Sequence, residues 1–216
     1  MRRAYYLMSA IVLGGASATA LVVTAMAPSV ASAAAPAVGQ PAPNFKLADM
    51  NGRAVTLSDY RGKTVVLEWH NPGCPFVQKH YSSGNMQKAQ AAAAQQGVVW
   101  LSINSGAPGK QGHMDGAAAK ALVAKSGAKP AAYLLDPKGV VGKTYDAKTT
   151  PHMYVINARG TLVYAGGIDD KPTANPADVN GARNHVLAAL GELKAGKAVS
   201  VASSRPYGCS VKYSDS

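Results

Sequence analysis

The chain has 216 residues, 47% of them hydrophobic and 15% charged, a balance that excludes a disordered polyelectrolyte and suits one ordinary domain with a core of its own. Lys and Arg number 22 against 11 Asp and Glu, but the net charge of +11 is spread singly, with no Lys/Arg run and no aromatic platform of the kind that binds nucleic acid. Two cysteines, Cys74 and Cys209, are too few for a Cys-only zinc centre or a disulfide-dense scaffold; they make one disulfide or two free thiols.

Residues 1–33 read as a secretory signal peptide. Arg2 and Arg3 start it, residues 7–27 are apolar and small without a charge, and Ala31-Ser32-Ala33 is a small-x-small cleavage signal. An uncleaved membrane anchor is the competing reading, since the apolar run approaches spanning length. Cleavage before Ala34 leaves 183 of the 216 residues, and losing Arg2 and Arg3 takes the charge from +11 to +9. The mature protein is then periplasmic or secreted, without stable membrane insertion, in surroundings where a disulfide persists.

Residues 34–43, rich in Ala and Pro, read as a linker, residues 44–198 as the folded domain and residues 199–216 as a tail carrying Cys209. Residues 45–47 and 54–57 alternate around Asn51-Gly52 and predict a hairpin. Residues 64–69 form a buried-type strand. Pro75 suits the first turn of a helix, which breaks at Ser82-Ser83-Gly84-Asn85, and Asn85 is placed to cap a second helix to Gln96. A strand over 98–103 follows, then a helix over 116–126 capped by Asp115, and a strand over 132–135 closed by the turn at 136–139. A short helix over 140–145 leads to strands over 152–156 and 161–164, joined by the hairpin signal at 157–160. Asn180 is placed to cap a last helix reaching about Ala195, stopped by Gly196. Strands alternating with helices predict an α/β domain with a mainly parallel sheet covered on both faces and an antiparallel part from the last hairpin.

Cys74 follows a buried-type strand and opens a helix. Backbone N–H groups and the helix dipole there favour a thiolate, the nucleophilic form, at the carboxyl end of a strand where sites form. The competing reading is a small buried apolar cysteine.

The segment Gly39-Gln40-Pro41-Ala42-Pro43-Asn44-Phe45-Lys46-Leu47 resembles the opening of the redoxin (AhpC/TSA) superfamily, as does Leu57-Ser58-Asp59-Tyr60-Arg61-Gly62-Lys63 with its strand. Thr149-Thr150-Pro151 resembles the cis-proline loop of thioredoxin-fold proteins. The segments Gly73-Cys74-Pro75-Phe76-Val77-Gln78-Lys79-His80-Tyr81 and Arg205-Pro206-Tyr207-Gly208-Cys209-Ser210-Val211-Lys212-Tyr213 are similar to a peroxiredoxin-like exported branch. The resemblance implies a thioredoxin-like α/β fold, a central mixed sheet flanked by helices with an N-terminal β-hairpin extension, and thiol-dependent oxidoreductase activity without a cofactor. It also implies that Thr150 and Pro151 hold backbone groups beside Cys74.

The chain departs from the family where the chemistry is decided. A thioredoxin-type dithiol has its second Cys where this chain has Val77, and some relatives have one where it has Asn71. A typical peroxiredoxin has Thr or Ser at the Asn71 position, and a Pro where Leu67 and Glu68 stand. Cys209 is left as the only partner for Cys74. One reading is a resolving cysteine, on a tail mobile enough to reach the helix start, that closes the Cys74–Cys209 disulfide and releases product. The other is a structural disulfide pinning the tail. Three functions follow: exchange with protein thiols and disulfides, fed by a thiol electron donor; reduction of small peroxides, an antioxidant activity with Cys74 passing through a sulfenic acid; and a non-enzymatic copper-handling module with a structural disulfide.

Other residues carry two readings each. Glu68 is a proton relay or sits at the sheet end in water. Trp69 shields the thiol or packs the core. His70, His80 and His152 are expected near Cys74, His152 lining the site, yet no metal-ligand spacing is present and no metal is expected. Asp169-Asp170 reads as a solvated turn.

Overall fold

A computed structural model describes Met1 and residues 35–214. The expected signal peptide and its cleavage site, apart from Met1, and Ala34 lie outside the described residues. Among those described, no helix is long and apolar enough to cross a membrane.

Nine strands and five helices are formed by the described residues. β1 (Lys46–Asp49) and β2 (Ala54–Thr56) make the expected hairpin, and a 3-10 turn over Leu57–Tyr60 follows. β3 (Val65–Trp69), β4 (Val99–Asn104) and β5 (Ala132–Leu135) are parallel neighbours. β7 (His152–Ile156) and β8 (Leu162–Gly166) complete a seven-stranded sheet in the order β2-β1-β5-β4-β3-β7-β8. Only β3–β4 and β4–β5 are parallel; β1–β2, β1–β5, β3–β7 and β7–β8 are antiparallel, so the mainly parallel sheet expected from the element order is corrected to a mixed one. The cause is local. The first hairpin adds at the β5 edge, and the cis-proline loop feeds β7 back against β3.

The pleat divides the core in two. Val65, Leu67 and Trp69 point to one face with Leu101, Ile103, Leu134 and Tyr154, closed by α4 (Val140–Thr144) and by the tail at Val211 and Tyr213. Val66, Trp100, Met153 and Tyr164 point to the other, where Met86, Ala89 and Ala93 of α2 (Asn85–Gln95) and Val186, Ala189 and Leu190 of α5 (His185–Lys194) cover them. α3 (Gly116–Ser126) covers Tyr133 on that second face with Ala119 and Leu122.

Three boundaries differ from the sequence expectation. Gly84, in the left-handed region at φ 73°, is the N-cap of α2, and Asn85 turns its amide to His80 Nδ1 at 2.8 Å instead of capping. The last helix starts at His185, where the Asn184 side chain accepts from Leu187 N; Asn180 instead ends a 3-10 turn over Pro176–Val179. The tail expected to be mobile is held in place. β9 (Cys209–Ser210) pairs antiparallel with β6 (Thr149–Thr150), a second small sheet that no local pattern in the sequence marks.

Candidate redox site

Cys74 is the N-cap of α1 (Pro75–Ser82), with extended backbone at φ −85° and ψ 122°. Pro75 occupies the first helical position, where a missing N–H costs nothing. Asn71 builds the turn that delivers it: its Oδ1 accepts from Gly73 N at 2.8 Å, and its carbonyl accepts from Cys74 N at 3.1 Å. The Asn71 amide donates to Gln111 Oε1 at 3.0 Å. Its side chain is thus spent on the turn and the 105–113 loop.

The Thr150–Pro151 bond is cis. Thr150 O accepts from the Cys74 thiol at 3.0 Å. β6 and β9 put Thr150 opposite Cys209, and the Cys209 N–H points at Cys74 Sγ at 3.4 Å. The two cysteines, 135 residues apart in sequence, thus meet as free thiols. Burial pushes the Cys74 thiol up, but hydrogen bonds from the Cys209 thiol, the Thr150 hydroxyl and the N–H groups of Cys209 and Val77 outweigh it, and its pKa lies below the ordinary thiol value. Cys209 is pushed up to about 11 by burial, by its hydrogen bond to Cys74 and by the negative charge there.

The other residues singled out in the sequence lie further from the sulfurs. Glu68 is fully buried, so the reading that puts it in water is overturned. Tyr81 OH donates to it at 2.8 Å, Trp100 Nε1 at 2.8 Å and Ser102 Oγ at 2.9 Å, and burial raises its pKa despite all three. Those hydrogen bonds face the core and not Cys74. Trp69 points to the opposite face, donating to Ser105 Oγ at 3.0 Å and packing on Tyr145 and Tyr154 with ring centroids 5.4 and 5.2 Å away; core packing is its role. His152 follows the cis proline, opposite Trp69, with Nδ1 near Lys148 N at 3.3 Å and Tyr154 OH at 3.1 Å, and burial lowers its pKa to about 4.

The three histidines do not converge. His70 bonds Tyr133 OH at 2.8 Å, His80 bonds Tyr207 OH at 3.2 Å, and His152 bonds Tyr154. Among the described residues no group of three or more His, Cys, Asp or Glu side chains is arranged to hold a metal ion.

The Asp169-Asp170 turn is also corrected, because Asp169 is 4% exposed. Its Oδ2 lies 3.6 Å from Lys79 Nζ, the side chain of which is itself wholly buried, and 3.9 Å from His80 Nε2. Its Oδ1 accepts from Lys171 N at 2.9 Å and from Tyr207 OH. Sequence reading missed Lys79, Asp169 and Tyr207 as a unit. The available signal was the pattern of α1, which places Lys79 and His80 one turn past Cys74 with no acidic residue nearby in sequence.

A family model described as the AhpC/TSA family matches residues 38–165. The thiol-disulfide oxidoreductase ResA of Bacillus subtilis (strain 168) is 30% identical over 125 residues, which are 58% of this chain and 64% of that protein. The chain spans less than two thirds of the length of the curated relatives it matches. Among solved structures, a hypothetical protein from Sinorhizobium meliloti 1021 superposes with a TM-score of 0.73 at 26% identity, covering 85% of this chain and 98% of the other. An uncharacterized conserved protein from Geobacillus kaustophilus does so with a TM-score of 0.71 at 27% identity, covering 83% and 94%. The thioredoxin-like α/β fold, a mixed sheet flanked by helices, accounts for these matches.

Proposed function

The chain belongs to the AhpC/TSA family, and within it we propose that this protein is an exported thiol–disulfide oxidoreductase with Cys74 as nucleophile and Cys209 as resolving thiol. The observation that carries the reading is the Cys209 N–H held 3.4 Å from Cys74 Sγ by the β6–β9 pairing. Likeness to proteins named thiol-disulfide oxidoreductase supports it.

The Cys74 thiolate attacks one sulfur of a client disulfide. A Cys74–client bond forms, the client S–S bond breaks, and the first client sulfur leaves as a thiolate that takes up a proton. Cys209 then loses its proton and attacks Cys74 Sγ. The second client sulfur leaves, and the client has gained two electrons while the pair has become a disulfide. A thiol donor restores the pair, and the same steps run backwards oxidise a dithiol client.

The order of events follows from the charges. While Cys74 is a thiolate, its charge and hydrogen bond hold the Cys209 proton on. Once Cys74 is in a mixed disulfide that charge is gone, and Cys209 is released to act. Thr150 holds the sulfur through its carbonyl, Pro151 fixes that loop, and Asn71 positions the turn. Glu68 and Trp69 support the sheet beneath. Peroxide reduction is the less favoured reading, because Asn71 brings no hydroxyl and turns its amide to Gln111.

The test is reaction of the reduced protein with an aryl disulfide such as 5,5′-dithiobis(2-nitrobenzoate). Wild type is expected to release two aryl thiolates and end with an internal disulfide. Cys209→Ser is expected to release one and stop as a mixed disulfide on Cys74. A wild-type product carrying an aryl group on each cysteine, with no internal disulfide, would refute the resolving role. Rapid stoichiometric oxidation by hydrogen peroxide would move the assignment to the peroxidase.

A further inference from the structure

Cys74 opens a helix, yet its side chain is 0% exposed. The C-terminal segment lies against it, secured in three places. Ser203 bridges to Ala165, and Ser204 Oγ accepts from Gly167 N at 3.0 Å and bonds Tyr164 OH at 2.7 Å. At the centre Cys209 pairs with Thr150. At the far end Lys212 O accepts from Ala107 N at 2.8 Å, and Tyr213 OH donates to Ala147 O at 2.7 Å.

The central hold leaves no room for a side chain. Gly208 has φ +132°, and a Cβ there would meet Thr150 O at 2.0 Å; a Cβ on Gly167 would meet Arg205 O and the Tyr207 ring at 3.2 Å. Beside it sits Tyr207, two residues before Cys209. Its hydroxyl donates to Asp169 Oδ1, and His80 Nε2 lies 3.2 Å away. Asn85 Nδ2 donates to His80 Nδ1, which leaves Nε2 as the protonated nitrogen facing the Tyr207 oxygen. The ring takes the edge of Phe76 at 5.9 Å and lies 5.5 Å from the Lys79 ammonium. Phe76, Lys79 and His80 all belong to the helix that Cys74 opens, so one side chain ties the tail to the helix of the nucleophile.

We propose that residues 203–213 are a strap that gates Cys74, with Tyr207 as its latch on the Asp169–Lys79–His80 cluster. Closed, the strap shields the thiol and presents Cys209. Open, it frees the edge of β6 and admits a disulfide to Cys74 Sγ. Opening breaks no covalent bond: it separates β6 from β9, takes one phenol from a buried carboxylate, releases the hydrogen bonds of Ser204, Lys212 and Tyr213, and lifts Val211 and Tyr213 from the core. Closing over a mixed disulfide returns Cys209 to the sulfur it must attack. The resolving half rests on the exchange reading; the shielding half does not.

The experiment follows alkylation of Cys74 by iodoacetamide in the Cys209→Ser protein, read by peptide mass spectrometry, with Tyr207→Phe and Gly208→Ala added singly. Tyr207→Phe removes one oxygen and one charge-assisted hydrogen bond, and should speed alkylation by about tenfold. Gly208→Ala should speed it at least as much. The tenfold gain should persist at urea concentrations well below the unfolding transition and depend on urea only weakly, as local opening does. Equal rates in the three proteins overturn the proposal. So does a gain that follows the full urea dependence of global unfolding, which would make the tail part of the fold and not a gate. If Gly208→Ala does not fold, Tyr207→Phe carries the test alone. Alkylation needs no disulfide chemistry, so a failed gate leaves the exchange reading standing. A working gate on a protein that exchanges no disulfide removes the exchange reading alone.

Discussion

Two carboxylates are buried against α1, and consecutive residues of that helix meet them in different ways. Lys79 and His80 turn to Asp169, which sits with an ammonium at 3.6 Å, a tyrosine hydroxyl and a backbone N–H. Tyr81 turns to Glu68, which receives three neutral donors, from Tyr81, Trp100 and Ser102, and has no cation among those hydrogen-bond partners. Three hydrogen bonds do not offset the desolvation of Glu68, whose pKa is raised. Neutral donors alone do not hold a buried carboxylate at its ordinary pKa. The chain places the charged arrangement under the strap, where a segment has to dock, and the neutral one in the permanent core.

The largest way to break this contrast is to take away the cation. Lys79→Ala strands Asp169 as an unpaired buried charge and should cost about 3–5 kcal/mol of unfolding free energy in urea titrations. Combining Lys79→Met with Asp169→Leu should recover most of that loss, because the cost lies in the charge left alone. A Lys79→Ala loss below about 1 kcal/mol would show that Asp169 is no more dependent on charge than Glu68.

Next in size is the effect of acid on the histidines beside the two clusters. His70, against Tyr81 and Tyr133, is lowered to about 3 by burial; His80, beside Asp169, is lowered to about 4 because burial outweighs the pull of the carboxylate. Between those values and the free value of 6.5, the unfolded chain binds protons that the folded one refuses. Stability is therefore full above pH 6.5 and is lost as pH falls towards 4 and then 3. Down to pH 4, shifts of this size correspond to roughly 3 kcal/mol for each histidine. Urea midpoints measured from pH 7.5 to 4 should fall steadily, and His70→Gln should flatten the curve. A flat wild-type profile would contradict the burial of both rings.

Much of this fold was legible in the sequence because its signals are local. The run Val65–Trp69, the Asp115 cap and the turn before Pro75 each carry their cause within a few residues. Cys74 was legible for the same reason: strand, turn, proline and helix lie together. What escaped depends on partners far apart in the chain. Lys79 meets Asp169 across 90 residues, and Cys209 meets Thr150 across 59. Nothing near Asp169-Asp170 distinguishes a buried acid from a solvated turn, and nothing near Gly208 says that its missing Cβ is what lets the tail touch Thr150. Glu68 falls between: a Glu in an apolar strand signals a cost, but the donors that meet it come from α1 and β4.

The smallest effect probes the neutral cluster from within. Tyr81→Phe removes one donor from Glu68 and leaves Oε1 without it, at a cost of about 1 kcal/mol. That cost should not be constant with pH. Glu68 has a raised pKa in the folded protein, so it contributes stability below the free carboxyl value of 4.5 and loses it as pH rises through the folded value. Without the Tyr81 hydroxyl the ionised form is still less welcome, and the folded value moves further up. The difference between Tyr81→Phe and wild type should therefore be smallest in acid and grow towards neutral pH, read as the gap between their unfolding free energies in urea at pH 4 and pH 7. A difference that stays constant with pH, or that narrows towards neutral pH, would mean that the Tyr81 hydroxyl does not support the ionised form of Glu68.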